Sequence, residues 1–356
     1  MEQNSKKKKV GYVLSRIGIV LLLNLLLIAG LLYGTMLVIT HGPSGTLKEL
    51  FVMTVKETSA GGFLANMCLS KDEIDEILAK KEKAADSEDD YGKPNTDLIK
   101  INTDKDTKND DPDPNQPETP ETGDKDKSGV EIVEVKGSTY RGTMMIVSDP
   151  SRVTLGIPDA YGDNCVGLKL RAMMEKYDAI AGINAGGFED INGTGKGGKP
   201  TGVIIKDGKI KWGSPGSNVS LIGFDSNHIL HVGKMTAADA LSAGVVEACS
   251  FGPALIINGV PCNSTGNLSG GYNPRTAIGQ RADGAVLMLV VEGRQLGSLG
   301  ATFDDLVEIM MSFDAVNASN LDGGGSSLMI YENGSLNTSA YIYGERVLAS
   351  SFLVLK

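Results

Sequence analysis

The chain has 356 residues, 41% hydrophobic and 22% charged, and a formal net charge of −10, a composition that excludes a disordered, collagen-like or multi-span membrane protein and leaves room for two structured parts with connecting material. The acidic balance disfavours nucleic acid as a partner, because phosphate backbones are bound by a surplus of Lys and Arg. Three histidines and four cysteines, with no Cys-x-x-Cys or Cys/His spacing, argue against a metal centre and against a disulfide framework.

Residues 1–16 form a basic tail, with Lys6, Lys7, Lys8, Lys9 and Arg16 against Glu2. From Ile17 to Ile39 there is no charge, and at about 1.5 Å per residue the run crosses a hydrocarbon core of about 30 Å. It is longer than the apolar region of a secretory signal and shows no clear small-x-small cleavage site, so residues 17–39 read as an uncleaved, single-pass anchor. The positive-inside rule places 1–16 in the cytoplasm and the rest outside the cell membrane.

Residues 40–83 read as a helical juxtamembrane stem. Ser70 and Glu73 form a capping box, followed by Ile74, Ile77 and Leu78 at helical spacing, while Gly61 and Gly62 interrupt the upstream pattern. Residues 84–128 read as a disordered acidic linker. Large apolar side chains are sparse there, and Pro112, Pro114, Pro117 and Pro120 favour an extended spacer.

From residue 129 to 356 short Val- and Ile-rich runs alternate with turn dipeptides. Asp207-Gly208, Asn258-Gly259, Asp283-Gly284 and Asn333-Gly334 each predict a hairpin. Helical patterns cover about 166–176, 236–242 and 302–312, the last capped by Thr302 with Asp305. The fold class is therefore α+β: a mixed, hairpin-rich β-sheet domain with a few helices, preceded by the anchor, stem and linker. His228 and His231 lie three apart on a strand-like stretch and face opposite sides, a poor start for zinc or a Ser-His-Asp triad. Cys249 and Cys262 suit either a bridge or small buried thiols. No cofactor is implied.

With histidine nearly absent, chemistry must rest on carboxylates, Arg, Asn and hydroxyls on glycine-rich turns. Three segments offer this. In Ile183–Phe188, INAGGF, Asn184 ends an apolar strand and Gly187 follows in the turn. In Asn273–Gly279, NPRTAIG, Arg275 offers a guanidinium fork for phosphate or carboxylate. In Asn320–Ser327, NLDGGGSS, Asp322 stands at a turn where Gly323, Gly324 and Gly325 allow close ligand approach and Ser326 adds a hydroxyl. No GKS or GKT follows, so it is not a P-loop.

Together with the hairpin at 250–259, Val291–Arg294 and the GER at 344–346, these segments resemble the phosphodiester glycosidase family over most of 130–356. Glu292-Gly293-Arg294 stands where the family commonly has Asp-Gly-Arg, and Ala185 where a glycine is usual. The resemblance implies hydrolysis of a sugar-1-phosphodiester, such as N-acetylglucosamine-1-phosphodiester or a cell-envelope glycopolymer, with release of free sugar. It implies Asp322 as base or nucleophile, Arg275 as stabiliser of the departing phosphate, and Asn184 as the group orienting sugar or water. Glu292 becomes a second carboxylate or a structural partner of Arg294 or Arg346. Gly187, Gly323, Gly324, Gly325, Ser326 and Arg346 become substrate-binding groups. The other reading is a non-catalytic polysaccharide-binding or exopolysaccharide-assembly module. Sugar binders usually stack their ligand on aromatics, yet these are only 5% of the chain, with Trp212 its single tryptophan.

Overall fold

The computed structural model describes residues 2–56, 58, 61–86, 93–101, 129–190, 194–262, 270–341 and 344–356. Most of the stretch read as a linker, 102–128, lies outside the described residues.

Helix α1 (Glu2–His41) is continuous through the basic tail and the apolar run, and Val13–His41 is long and apolar enough to cross a membrane. Helices α2 (Gly45–Lys56), α3 (Phe63–Cys68) and α4 (Lys71–Asp86) follow. The Gly61-Gly62 pair separates α2 from α3, as glycine's entropy cost in a helix predicts. Ser70 Oγ accepts the Glu73 N–H at 3.3 Å and the Glu73 carboxylate accepts the Ser70 N–H at 3.0 Å, closing the capping box. The Lys48 ammonium at 2.8 Å, helped by the Ser70 N–H and by the Ser70 hydroxyl, which donates to the same carboxylate at 2.8 Å, holds the Glu73 carboxyl down at about 2. Val52, Met53, Ala65, Leu69, Ile74 and Ile77 form the stem's own small core.

Residues 93–101, read from sequence as part of the spacer, are docked on the β-rich part. The Asn95 N–H bonds Asn258 Oδ1 at 2.6 Å and the Lys100 N–H bonds the Ala282 carbonyl at 2.8 Å. Ile99 is buried, and Ile101 covers Gly284 at the tip of a hairpin. Scarcity of apolar side chains hid this segment, because two isoleucines over a turn are enough to seat it.

Among the described residues, the largest sheet runs in the order Val130–Lys136, Arg141–Val147, Val286–Val291, Arg275–Arg281, Ala315–Leu321, Ala254–Ile257 and Val260–Pro261, antiparallel throughout. A five-stranded sheet joins Lys209–Trp212, Ile204–Lys206, Val245–Ser250, Asn218–Asp225 and Leu230–Thr236, and another joins Gly334–Ser335, Met329–Tyr331, Ala179–Asn184, Ser351–Leu355 and Val153–Gly156. All four dipeptide hairpins form. The fourth turns one residue early, at Glu332-Asn333, with Glu332 at φ +52° and Tyr331 paired to Gly334.

The interior strand Val286–Val291 is buried at every position, which a strand covered on both faces requires. One face packs Val286, Met288 and Val290 with Ile278 and Leu321 against residues of the other sheets, including Ile183, Ile222 and Phe352. The opposite face packs Leu287 and Leu289 against helix α7 (Phe303–Ser312), which buries Leu306, Val307, Ile309 and Met310. At about 1.5–3 kcal/mol per fully buried side chain, these four hold the helix down. Thr302 and Asp305 make the expected capping box. Helices α5 (Leu170–Lys176) and α6 (Ala237–Ser242), between α4 and α7 in the chain, cover the two smaller sheets.

His231 is buried and sits 3.2 Å from the Asp225 carboxylate, whereas His228 lies in a turn at φ +62°. Cys249 is a buried free thiol, and burial pushes it up to about 12.

Candidate active site

The site lies where the end of Ala315–Leu321 meets the end of Ala179–Asn184. The Asp322 N–H bonds the Ala185 carbonyl at 2.9 Å, which joins the large sheet to a smaller one. Asn184 is fully buried beneath this junction. Its Nδ2 donates to the Asp322 carbonyl at 2.5 Å, and its Oδ1 accepts the Thr276 hydroxyl at 2.8 Å and the Leu328 N–H at 3.1 Å. These bonds make Asn184 a buried tie between three segments, and they occupy the amide that was expected to touch sugar or water.

Beyond Leu321 the chain turns sharply. Gly324 takes φ +59°, the left-handed region that glycine reaches without strain, and its N–H bonds the Pro274 carbonyl at 2.8 Å. Any side chain at Gly323 would come within 2.8 Å of that same carbonyl oxygen. The NPR and DGGGS segments are thus adjacent through their backbones. The Gly323 N–H turns back onto Asp322 Oδ1 at 3.0 Å and the Ser326 hydroxyl donates to the same carboxyl. Burial nonetheless pushes the Asp322 carboxyl up to about 6, outweighing the Ser326 bond, the Arg346 charge and the Gly323 bond, with Asp190 adding to the rise.

Arg346 supplies the positive charge of the site. Its side chain is only 10% exposed and is ion-paired with Asp190. Its guanidinium lies over the Phe188 ring at 4.7 Å and near that of Tyr341 at 5.6 Å, the stacking geometry that favours Arg over Lys. Nη1 reaches Ser326 Oγ at 3.5 Å, and Nε is buried with no hydrogen-bond partner among the described residues. Asp190 is held in turn by the Gly195 N–H at 2.7 Å. On the other side of the glycine turn, the exposed Arg294 lies over Gly324 and donates to Asn273 Oδ1 at 2.8 Å.

Arg275 does not face Asp322. Side chains alternate across a strand, so Thr276 points to Asn184 while Arg275 points to the α7 face. There it stacks 4.2 Å over Phe303 and donates to the Ala301 carbonyl at 3.1 Å and the Gly271 carbonyl at 2.7 Å. The guanidinium groups at the Asp322 turn are those of Arg346, which reaches Ser326, and Arg294, which lies over Gly324. Glu292 sits with Arg141 at the strand ends of the large sheet. Its carboxylate accepts from Arg141 at 3.1 Å and from the Thr338 N–H at 2.8 Å. Gly187 is buried under Phe251, where a Cβ would meet the ring at 2.7 Å, and its N–H bonds the Ser250 carbonyl at 3.4 Å.

Asp322, Ser326, Arg346 and the three glycines therefore come together, with Asn184 below and Gly187, Glu292 and Arg275 outside the cluster. Asp190, Phe188 and Tyr341 complete it. Asp190 stands two residues past INAGGF, so its carboxylate was visible in the motif's continuation. Tyr341 carries no such signal. Among the described residues no group of three or more His, Cys, Asp or Glu is placed to hold a metal ion.

A family model for phosphodiester glycosidase matches residues 177–355, which contain every member of this cluster. The chain belongs to the phosphodiester glycosidase family. It is 30% identical over 175 residues to the SPbeta prophage-derived uncharacterized protein YomE of Bacillus subtilis (strain 168), covering 47% of this chain and 26% of that protein. It is 27% identical over 221 residues to the N-acetylglucosamine-1-phosphodiester alpha-N-acetylglucosaminidase of Mus musculus, covering 56% and 41%. The chain thus spans less than half the length of either relative. The catalytic domain of the zebrafish N-acetylglucosamine-1-phosphodiester alpha-N-acetylglucosaminidase, auto-inhibited by its pro-peptide, has a similar fold, with a TM-score of 0.53, 20% identity, and coverage of 66% of this chain and 87% of that one. Within the family fold, the candidate site of this chain is the Asp322–Arg346 cluster.

Proposed function

We propose that this phosphodiester glycosidase is a membrane-anchored, extracytoplasmic hydrolase that cleaves the glycosidic bond of a sugar-1-phosphodiester, releasing free sugar and a phosphomonoester. The observation that carries the reading is the Asp322 carboxyl, bonded by the Gly323 N–H and the Ser326 hydroxyl, beside the Arg346 guanidinium, which lies over the Phe188 ring and near that of Tyr341. Water attacks the anomeric carbon, the bond to the phosphate oxygen breaks, and the phosphate leaves with the electron pair. Asp322 acts ionised, either as base taking the proton of that water, or as nucleophile that itself displaces the phosphate to form a glycosyl ester, which water then hydrolyses. A carboxyl near 6 is half ionised close to neutral pH, where such a group works best.

A phosphomonoester is a good leaving group, so the strong acid that most glycosidases need is dispensable here. What the departing phosphate needs is preorganised positive charge, worth about 3 kcal/mol or more per donor. Arg346 takes the role that the sequence reading gave to Arg275, and its buried Nε supports that assignment. Arg294, across Gly324, supplies a second guanidinium on the solvent side. Asn184, through the Asp322 carbonyl, is a positioning residue. The apolar span Val13–His41 and its basic flank support a single-pass anchor with the domain outside, where a cell-envelope glycopolymer or exopolysaccharide with glycosyl phosphate links is the fitting substrate class.

The test is to incubate the full chain in detergent with a series of sugar-1-phosphodiesters and to measure free sugar and phosphomonoester together, with Asp322→Asn alongside. Equal release of both by the wild type alone supports the reading. Release of neither, with the chain folded, overturns it.

A further inference from the structure

Helix α2 does more than connect the span to the domain, because it touches the segment that leads into the candidate site. Thr54 Oγ1 donates to the Leu50 carbonyl at 2.8 Å inside the helix and accepts the Tyr272 N–H at 3.1 Å. Gly271 lies so close that a Cβ there would come within 2.3–2.4 Å of Thr54 N, Cα and Oγ1. Contacts this tight between a helix and a loop need glycine. The next two residues are those that hold the site. Asn273 Oδ1 accepts from Arg294 at 2.8 Å, and the Pro274 carbonyl accepts the Gly324 N–H at 2.8 Å. At its other side α2 packs with α3 and α4, burying Val52 and Met53, and the last residues of α1 adjoin it, with Thr40 buried.

We infer that Thr54 is a positioning residue, and that the juxtamembrane helix α2 sets the Asn273–Pro274 support on which Arg294 and the Gly323–Gly325 turn rest. The covalent route from the membrane span to the site passes through the stretch 102–128, but the physical route is short: α1, α2, Thr54, Tyr272, Asn273. Deleting the stem therefore removes part of the site's framework as well as the tether. The kinetic side of this inference rests on the function proposed above; the structural side stands without it.

The experiment uses the full chain in detergent and compares wild type with Thr54→Val, which keeps shape and loses the acceptor, Thr54→Ser, which restores it, and Gly271→Ala, which fills the closed space. Amide hydrogen exchange is followed at Tyr272 and at Gly324. The expected result is exchange at least tenfold faster at both amides in Thr54→Val, near wild-type in Thr54→Ser, with the amides of Val286–Val291 unchanged in all. Where sugar release is measurable, kcat falls severalfold in Thr54→Val and recovers in Thr54→Ser, with little change in KM. Faster exchange confined to Tyr272, or unchanged at both, overturns the inference. If the wild type releases no sugar, the function proposed above fails, and the Gly324 amide still decides this one.

Discussion

Replacing Asp322 by Asn separates the site's chemistry from its energetics. The carboxyl is raised from 3.8 to about 6, chiefly by burial, which at about 1.36 kcal/mol per unit places an upper figure of about 3 kcal/mol on the cost of keeping it ionised in the fold. The sign follows from linkage. A carboxyl whose folded pKa exceeds its unfolded one binds its proton more tightly in the native state, so stability falls as pH rises from about 4 to 6 and the full cost is present above that. An amide carries no such cost. Asp322→Asn should be near neutral in stability at pH 4 and more stable than wild type by about 1–3 kcal/mol at pH 8, or several degrees in Tm. Turnover should drop by about 10²–10⁴ or more. The assay is denaturant unfolding of both proteins at the two pH values, with sugar release measured in parallel. A stability difference that does not change with pH would refute the desolvated carboxyl, and turnover within tenfold of wild type would remove Asp322 from the mechanism.

Arg346→Lys keeps the charge but loses the fork and the stacking on Phe188 and Tyr341, so kcat should fall about 100-fold; Arg346→Met should also move the pH limb of kcat/KM upward from about 6, because the Arg346 charge pulls Asp322 down. An unmoved limb would contradict that coupling. Arg275→Lys loses the Phe303 stack and the bond to the Ala301 carbonyl, and should cost about 1–2 kcal/mol of stability; turnover lost 100-fold at wild-type stability would return Arg275 to the chemistry. Asn184→Ala removes three buried hydrogen bonds and should cost about 2–4 kcal/mol along with turnover, read by unfolding and kinetics on one preparation. Lys206→Met strands the Glu247 carboxylate, with which Lys206 is paired at 10% and 15% side-chain exposure, and should cost about 3–5 kcal/mol while the folded fraction keeps its KM.

Local chemistry made much of this protein legible from sequence alone. The long apolar helix, the Ser70–Glu73 and Thr302–Asp305 caps and the four hairpins depend on residues within a few positions of one another. Asp322 and Ser326 were visible for the same reason, since one glycine-rich turn carries both. What the sequence could not reveal is which way a side chain leaves its strand relative to a partner far along the chain. Arg275 and Thr276 are neighbours, yet the pairing of Thr276 with Leu321 turns one toward Asn184 and the other toward Phe303. That is why Arg346, joined to Asp190 and Ser326 by the packing of distant segments, lies near the Asp322 turn while Arg275 lies against Phe303. The docking of 93–101 and the Thr54–Tyr272 bond are likewise contacts across long stretches of chain. Periodicity and turn chemistry specify elements one at a time; the meeting of two sheet ends at Asp322 exists only once those elements are assembled.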